Sequence, residues 1–202
     1  MLRCPEPHGE THLVMSTGEM MGRMVRSGIL GCPVCRREFP VVKGVVHFSG
    51  SGMRDAGSVG APQATHLSSR LPHPVDAQTL QALLDLGGPG GYVVLVGAAA
   101  RHAVGLADVM GGIHFVGVAA PPDVEERPVL SLLACETMIP LRRAMARGVV
   151  VGREAATEAW LVDAQRVLLR GRRLVIEGED VVGPEGVKQL AVGQGLWVGE
   201  KQ

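Results

Sequence analysis

Aromatic residues are scarce in this 202-residue chain: Phe, Trp and Tyr together make up 3%. So few rings exclude the stacking platforms that single-stranded nucleic acid requires. Net charge is missing too, since 20 Lys and Arg balance 20 Asp and Glu. A nucleic-acid-binding domain is usually clearly basic, so nucleic acid is not indicated. No apolar run reaches the roughly 18 residues that span a bilayer. The N-terminus has no charged segment leading into an apolar one, so no signal peptide is visible. These absences predict a cytoplasmic protein without membrane contact. What is abundant is glycine, at 28 residues, and hydrophobic residues, at 46%. The length suits one ordinary domain, or a small module plus a medium one.

Three of the four cysteines fall in the first 48 residues. Cys4 is followed by Pro5-Glu6-Pro7-His8, and Cys32-Pro33-Val34-Cys35 comes a hairpin-length insert later. Two short knuckles at this spacing predict a zinc ribbon, in which thiolates and an imidazole form a closed tetrahedral set. A module this small needs the metal to hold it. The first knuckle has Pro7 where a second cysteine would be expected. His8 is the nearest substitute and His12 the next, so the candidate ligands are Cys4, His8, Cys32 and Cys35 with zinc. A strand follows the Cys-x-x-Cys, whereas a redox motif wants it at a helix start. Between the knuckles, Met20, Met21 and Met24 predict one face of a short helix over Gly18 to Arg26.

The run Gly28-Ile29-Leu30-Gly31-Cys32-Pro33-Val34-Cys35-Arg36-Arg37-Glu38-Phe39-Pro40-Val41-Val42-Lys43-Gly44-Val45-Val46-His47-Phe48, with Leu2-Arg3-Cys4-Pro5, resembles the Trm112-like zinc-ribbon family. The resemblance covers nearly all of residues 1–48. It implies a small metal-binding module that binds methyltransferases or is fused in front of one.

Residues 49–76, opening Ser49-Gly50-Ser51-Gly52 and stiffening near Pro72 and Pro74, read as a flexible linker. His66 and His73 within it are read as solvated.

From residue 77 onward apolar strands alternate with helices. Helices are predicted over 77–86, 102–110, 154–169 and 184–191. Strands are predicted over 92–96, 114–118, 129–134, 148–151, 173–177 and 196–198. Near-continuous apolar strands separated by helices predict an α/β fold with a parallel sheet covered on both faces. The centre of this pattern is Tyr92-Val93-Val94-Leu95-Val96-Gly97-Ala98-Ala99-Ala100-Arg101, a buried strand entering a small-residue turn. Asp123-Val124-Glu125-Glu126 reads as a solvated loop.

Ala164-Gln165-Arg166-Val167-Leu168-Leu169-Arg170-Gly171-Arg172-Arg173-Leu174-Val175-Ile176-Glu177 and Ile139-Pro140-Leu141 resemble segments of class I S-adenosylmethionine-dependent methyltransferases. The resemblance implies a shortened Rossmann-like sheet over 77–202, with the family's two closing strands reduced to one. It places the cofactor pocket at Gly97, Ala99, Arg101, Ala119 and Cys135. In the family these positions hold further glycines and carboxylates that meet the cofactor's ribose and adenine; Leu95 likewise replaces an acidic residue. Here those contacts are lost, and a long Arg101 side chain is expected to crowd the loop. Cys135 has no base beside it in sequence and reads as a small buried apolar residue. The expectation is therefore a zinc-binding, non-catalytic methyltransferase-like scaffold that works through a protein partner or homo-oligomer. Met20, Met21, Met24 and an uncovered sheet edge are the surfaces for it. The alternatives are an active methyltransferase with an atypical pocket, or a pocket in which Arg101 reads an anion.

Overall fold

A computed structural model of the chain describes residues 1–48, 75–178 and 180–202. The expected linker lies almost wholly outside them, along with His66, His73, Pro72 and Pro74. The N-terminal segment forms β1 (Val14–Thr17), β2 (Met20–Met21), β3 (Met24–Val25), β4 (Ser27–Gly31), β5 (Glu38–Val42) and β6 (Val45–His47). Then follow α1 (Ala77–Leu84), β7 (Tyr92–Val96), a 3-10 turn (Gly97–His102), α2 (Ala103–Val109), β8 (His114–Val118), β9 (Leu130–Ala134) and β10 (Ala146–Val151). The chain closes with α3 (Glu158–Val167), β11 (Leu168–Glu177), β12 (Val187–Gly193) and β13 (Leu196–Lys201).

One eleven-stranded sheet runs β1-β4-β5-β6-β9-β8-β7-β10-β11-β13-β12. Its six central strands, β6 to β11 in that order, pair in parallel, and both flanks are antiparallel. The fold is mixed α/β, with the doubly wound strand order that places β7 at the reversal point. β7 is apolar and buried from Val93 to Val96 because both of its faces are covered. Leu80, Leu84 and Leu106 pack on one face with Val93 and Leu95. Trp160, Leu161 and Ala164 pack on the other with Val94 and Val96.

The cysteine-bearing segment and the Rossmann-like segment share this sheet. Val45, Val46 and His47 of β6 stand opposite Leu132, Leu133 and Ala134 of β9. No helix lies in the described crossovers 119–129 and 135–145. The N-terminus covers part of that gap. Leu2 bridges to Leu141, Arg3 donates its N–H to Pro140 O at 3.0 Å, and Arg142 donates to Met1 O at 3.0 Å. Arg166 donates to the carbonyls of Ile139 and Leu141, both at 2.7 Å, and Asp163 accepts from Ile139 N–H at 2.5 Å. Thus the backbone groups of a helix-free crossover are satisfied by side chains and by the N-terminus, as burial demands.

Several expectations change. The Met-rich helix over Gly18 to Arg26 is a hairpin instead: Met20 pairs with Val25, and Met21 with Met24. Gly22 takes φ +61° at the turn, a value that tight hairpins demand and helices exclude. The helix over 184–191 is replaced by β12. Gln194 and Gly195 both adopt positive φ, +54° and +78°, the signature of a two-residue hairpin turn that folds β12 onto β13. Consequently both closing strands are present rather than one. The helix over 154–169 is broken into a 3-10 turn at Arg153–Ala155 and α3, and β11 begins directly at Leu168.

Candidate metal centre and cleft

Cys4 arrives on the N-terminal strand-like segment, and Cys32 and Cys35 sit in the turn between β4 and β5. The turn is fixed by backbone bonds from Cys32 N–H to Arg37 O and from Arg36 N–H to Cys32 O, each 2.9 Å. Arg36 adopts φ +60°, letting the chain curl back around the thiols. The ligand atoms of Cys4, His8, Cys32 and Cys35 all lie within 4.8 Å of one another. Cys4 Sγ is 3.6 Å from Cys35 Sγ, and Cys32 Sγ is 3.4 Å from His8 Nε2. A tetrahedral zinc with sulfur at about 2.3 Å and nitrogen at about 2.0–2.1 Å separates its ligands by roughly 3.5–3.8 Å, so the set fits. His8 Nδ1 lies 2.8 Å from Gly9 O, a contact that fixes the ring and leaves Nε2 for the metal. His12 stands apart, its Nε2 3.2 Å from an Arg142 guanidinium nitrogen.

Thiol electrostatics favour a cation there. Burial opposes the Cys32 thiolate, but the N–H groups of Cys35 and Val34 and the neighbouring thiols outweigh it and lower its pKa to about 6. Burial raises Cys4 to about 12, and the thiols of Cys35 and Cys32 add to that rise against one N–H from Glu6. The second charge is therefore hard to place without a metal.

A cleft of about 570 Å³ opens at the carboxyl ends of β7, β8, β9 and β10. Three of the five pocket positions line it: Gly97, Ala119 and Cys135. Ala99 does not; it is fully buried beneath the turn. Arg101 does not either. Its side chain turns outward and makes two bonds to Asp123, Nε at 2.9 Å and a terminal nitrogen at 2.8 Å. The pairing raises Arg101 and lowers Asp123 from their ordinary values. Arg101 therefore points away from the turn, with its charge paired to Asp123. The stretch 123–126 is not simply solvated, since Asp123 takes Arg101 and Glu126 pairs with Arg26 of the N-terminal segment. Leu95, where the sequence resemblance places an acidic residue, is buried.

What covers the loop is Glu154. Its Oε1 accepts the Ala98 backbone N–H, and a side chain at Gly97 would collide with its carboxylate. Gly97 itself has φ +64°. Glu154 comes from the 3-10 turn after β10, 56 positions from Ala98, and nothing in the local sequence marked the pair. Glu136, Trp160 and Val45 of the N-terminal segment also line the cleft without having been foreseen. Cys135 is buried, and burial raises its thiol against the N–H groups of Thr137, Met138 and Glu136. A protonated thiol of that kind is a poor nucleophile. Glu177, buried at the end of β11, is matched by His102 Nε2 at 2.8 Å.

No protein-family model matches the chain. No curated protein matches it either. Among solved structures, the chain is similar to a geranyl diphosphate C-methyltransferase from Streptomyces coelicolor A3(2), with 17% identity, TM-score 0.42, and coverage of 50% of this chain and 41% of that one. It thus spans less than half of that protein's length. The antibiotic-resistance methyltransferase Kmr gives 12% identity and TM-score 0.43, covering 63% and 93% of the two chains. A SAM-dependent methyltransferase from Aquifex aeolicus gives 17% identity and TM-score 0.42, covering 60% and 86%. Likenesses this distant say nothing about activity; the fold class rests on the strand order. Among the described residues no helix is long and apolar enough to cross a membrane.

Proposed function

We propose that this chain is a zinc-stabilised, methyltransferase-like scaffold that does not use S-adenosylmethionine. In this reading residues 1–48 are a Trm112-like ribbon, 49–76 the connection, and 77–202 a Rossmann-like unit to which the ribbon is docked by β6. Cys4, His8, Cys32 and Cys35 hold one zinc. Four protein ligands leave no open position, so the metal's role is structural.

The observation that carries the non-catalytic reading is the Glu154 carboxylate seated over the Gly97–Ala98 turn. A cofactor using that turn needs its free N–H groups and a close backbone approach. Here the Glu154 carboxylate takes the N–H, while Leu95, Ala119 and Cys135 offer no carboxylate to a ribose or an adenine. Each missing charge-assisted bond is worth roughly 1.5 to 3 kcal/mol. The scaffold then acts through a protein partner or a second copy. Exposed Met20 and Met21 on the β2–β3 hairpin, and the outer edge of β1, support that part of the reading.

Calorimetric titration of the zinc-loaded protein with S-adenosylmethionine and S-adenosylhomocysteine tests the proposal. No saturable heat is expected; micromolar binding of either overturns it. One observation favours the second reading, an active methyltransferase: the cleft lies at the reversal point of the strand order, where α/β sheets hold their ligands. Methyl transfer from labelled cofactor to a candidate acceptor is its test.

A further inference from the structure

Among the described residues the cleft has apolar walls and charge of one sign. Leu132, Leu133, Val45, Pro121 and Val124 give it apolar sides, and Trp160 adds an aromatic one. Among the described residues its charged lining residues are Glu136 and Glu154, and no described Lys, Arg or His lines it. Arg101, next to the turn after β7, does not line it and makes two bonds to Asp123. Among the described residues an anion entering the cleft would find no cationic side chain on its lining, and Glu154 has already taken the Ala98 N–H. A neutral apolar ligand would fill the walls but displace water from two carboxylates with nothing in return. A ligand with an apolar body and one positive charge satisfies walls and carboxylates together, and an indole beside such a charge adds to the attraction.

We infer that this cleft takes a mainly apolar organic cation, an alkyl- or arylammonium, with Glu136 and Glu154 as its counter-charges. The inference rests on the reading that S-adenosylmethionine is not the ligand, because it assigns the same space. It gives the degenerate pocket a retained binding role, with selectivity set by charge. Glu154 has two tasks in this arrangement: Oε1 fixes the turn after β7, and the carboxylate supplies field to the cleft.

The test is calorimetric titration of the full-length, zinc-loaded protein with benzyltrimethylammonium, benzyl alcohol and benzoate. These probes share a ring and differ in charge. The ammonium is expected to bind about tenfold tighter than the alcohol, as two partly exposed carboxylates allow, and benzoate not at all. The Glu136→Gln/Glu154→Gln double variant keeps an acceptor for Ala98 N–H and so keeps the turn. In it the preference for the ammonium is expected to vanish while the alcohol's affinity stays put. Equal binding of alcohol and ammonium, binding of benzoate, a flat response to all three, or a preference that survives the double substitution each overturns the inference. S-adenosylhomocysteine, run in parallel, separates the two claims. Its micromolar binding sinks the scaffold reading whatever the ammonium series does. Its failure to bind, beside a flat ammonium series, sinks the cation inference alone.

Discussion

Glu154 accepts a hydrogen bond from the backbone N–H of Ala98, so the turn after the first Rossmann strand is capped by the turn after the fourth. The consequence for stability is direct. Replacing Glu154 with Ala orphans that N–H, at a cost of about 1 kcal/mol for a site open to water. In a chain of this size that is a fall of about 2–4 °C in melting temperature, read by calorimetry. Glu154→Gln retains the acceptor and is expected to melt close to the parent. On the scaffold reading, Glu154→Ala is expected not to create micromolar affinity for S-adenosylmethionine in calorimetric titration, because Leu95, Ala119 and Cys135 still offer no carboxylate.

This contact also shows where sequence reading stops. The strands 92–96 and 114–118 were legible residue for residue, because a fully buried parallel strand must be continuously apolar. The convergence of Cys4, His8, Cys32 and Cys35 was legible because the spacing is local within each knuckle. The hairpin at Met20–Val25 was misread because its methionines suit either period, and the deciding feature is the positive φ of Gly22. The hairpin at β12–β13 was missed for a similar reason: Gln194-Gly195 is a weaker written signal than Asn-Gly, though its backbone does the same thing. Glu154 over Ala98, and Val45 in the cleft wall, depend on β10 lying beside β7 and β6 beside β9. No window of sequence contains both halves of either relationship.

Ala119 stands at the end of β8 with φ +52°, a left-handed conformation that costs a residue with a Cβ about 1 kcal/mol. Its N–H donates to Leu133 O at 3.0 Å, which holds the backbone there. Ala119→Gly relieves the strain but loosens the unfolded chain, and the two effects oppose. The native φ favours glycine enough that the variant is expected to match or exceed the parent by up to about 0.5 kcal/mol in urea unfolding. A loss above about 1 kcal/mol would show that the Ala119 methyl is needed for packing in the cleft wall.

His114 provides a pH dependence whose sign can be worked out. Burial lowers its pKa below the ordinary 6.5, so the folded state holds the ring neutral. Its Nε2 lies 2.9 Å from Ser131 Oγ, a contact that fits a neutral ring. The unfolded state takes up a proton near 6.5, before the folded state does. Above that value His114 adds nothing to the pH dependence. As pH falls below it, protonation of the unfolded chain draws the equilibrium that way, until the pH passes the folded pKa and the loss levels off. Urea midpoints measured from pH 7.5 to 5 on the zinc-loaded protein are expected to decline below 6.5. His114→Gln is expected to flatten the decline in part; an unchanged slope would assign it to other groups.

Metal removal has the largest expected effect, because the ribbon segment is a flank of the one sheet and not a separate bead. Cys4, Cys32, Phe39 and Val41 share a core cluster with Val94 and Val116 of the central strands. Loss of the metal leaves thiols of mismatched acidity packed together, and the flank β1-β4-β5-β6 loses its clamp. One zinc per chain is expected by elemental analysis, with Cys32→Ser and His8→Ala each reducing it. His12→Ala is expected to leave it unchanged, since that ring lies against Arg142. Chelation is expected to raise hydrogen exchange in β4 and β5 first, then in β6 and its partner β9. Exchange confined to β1 to β5, with β6–β9 fully protected, would show that the sheet junction stands without the metal. Because the ligands must be deprotonated, zinc occupancy is expected to fall as pH drops toward 5, whereas a merely packed thiol cluster would show no such coupling.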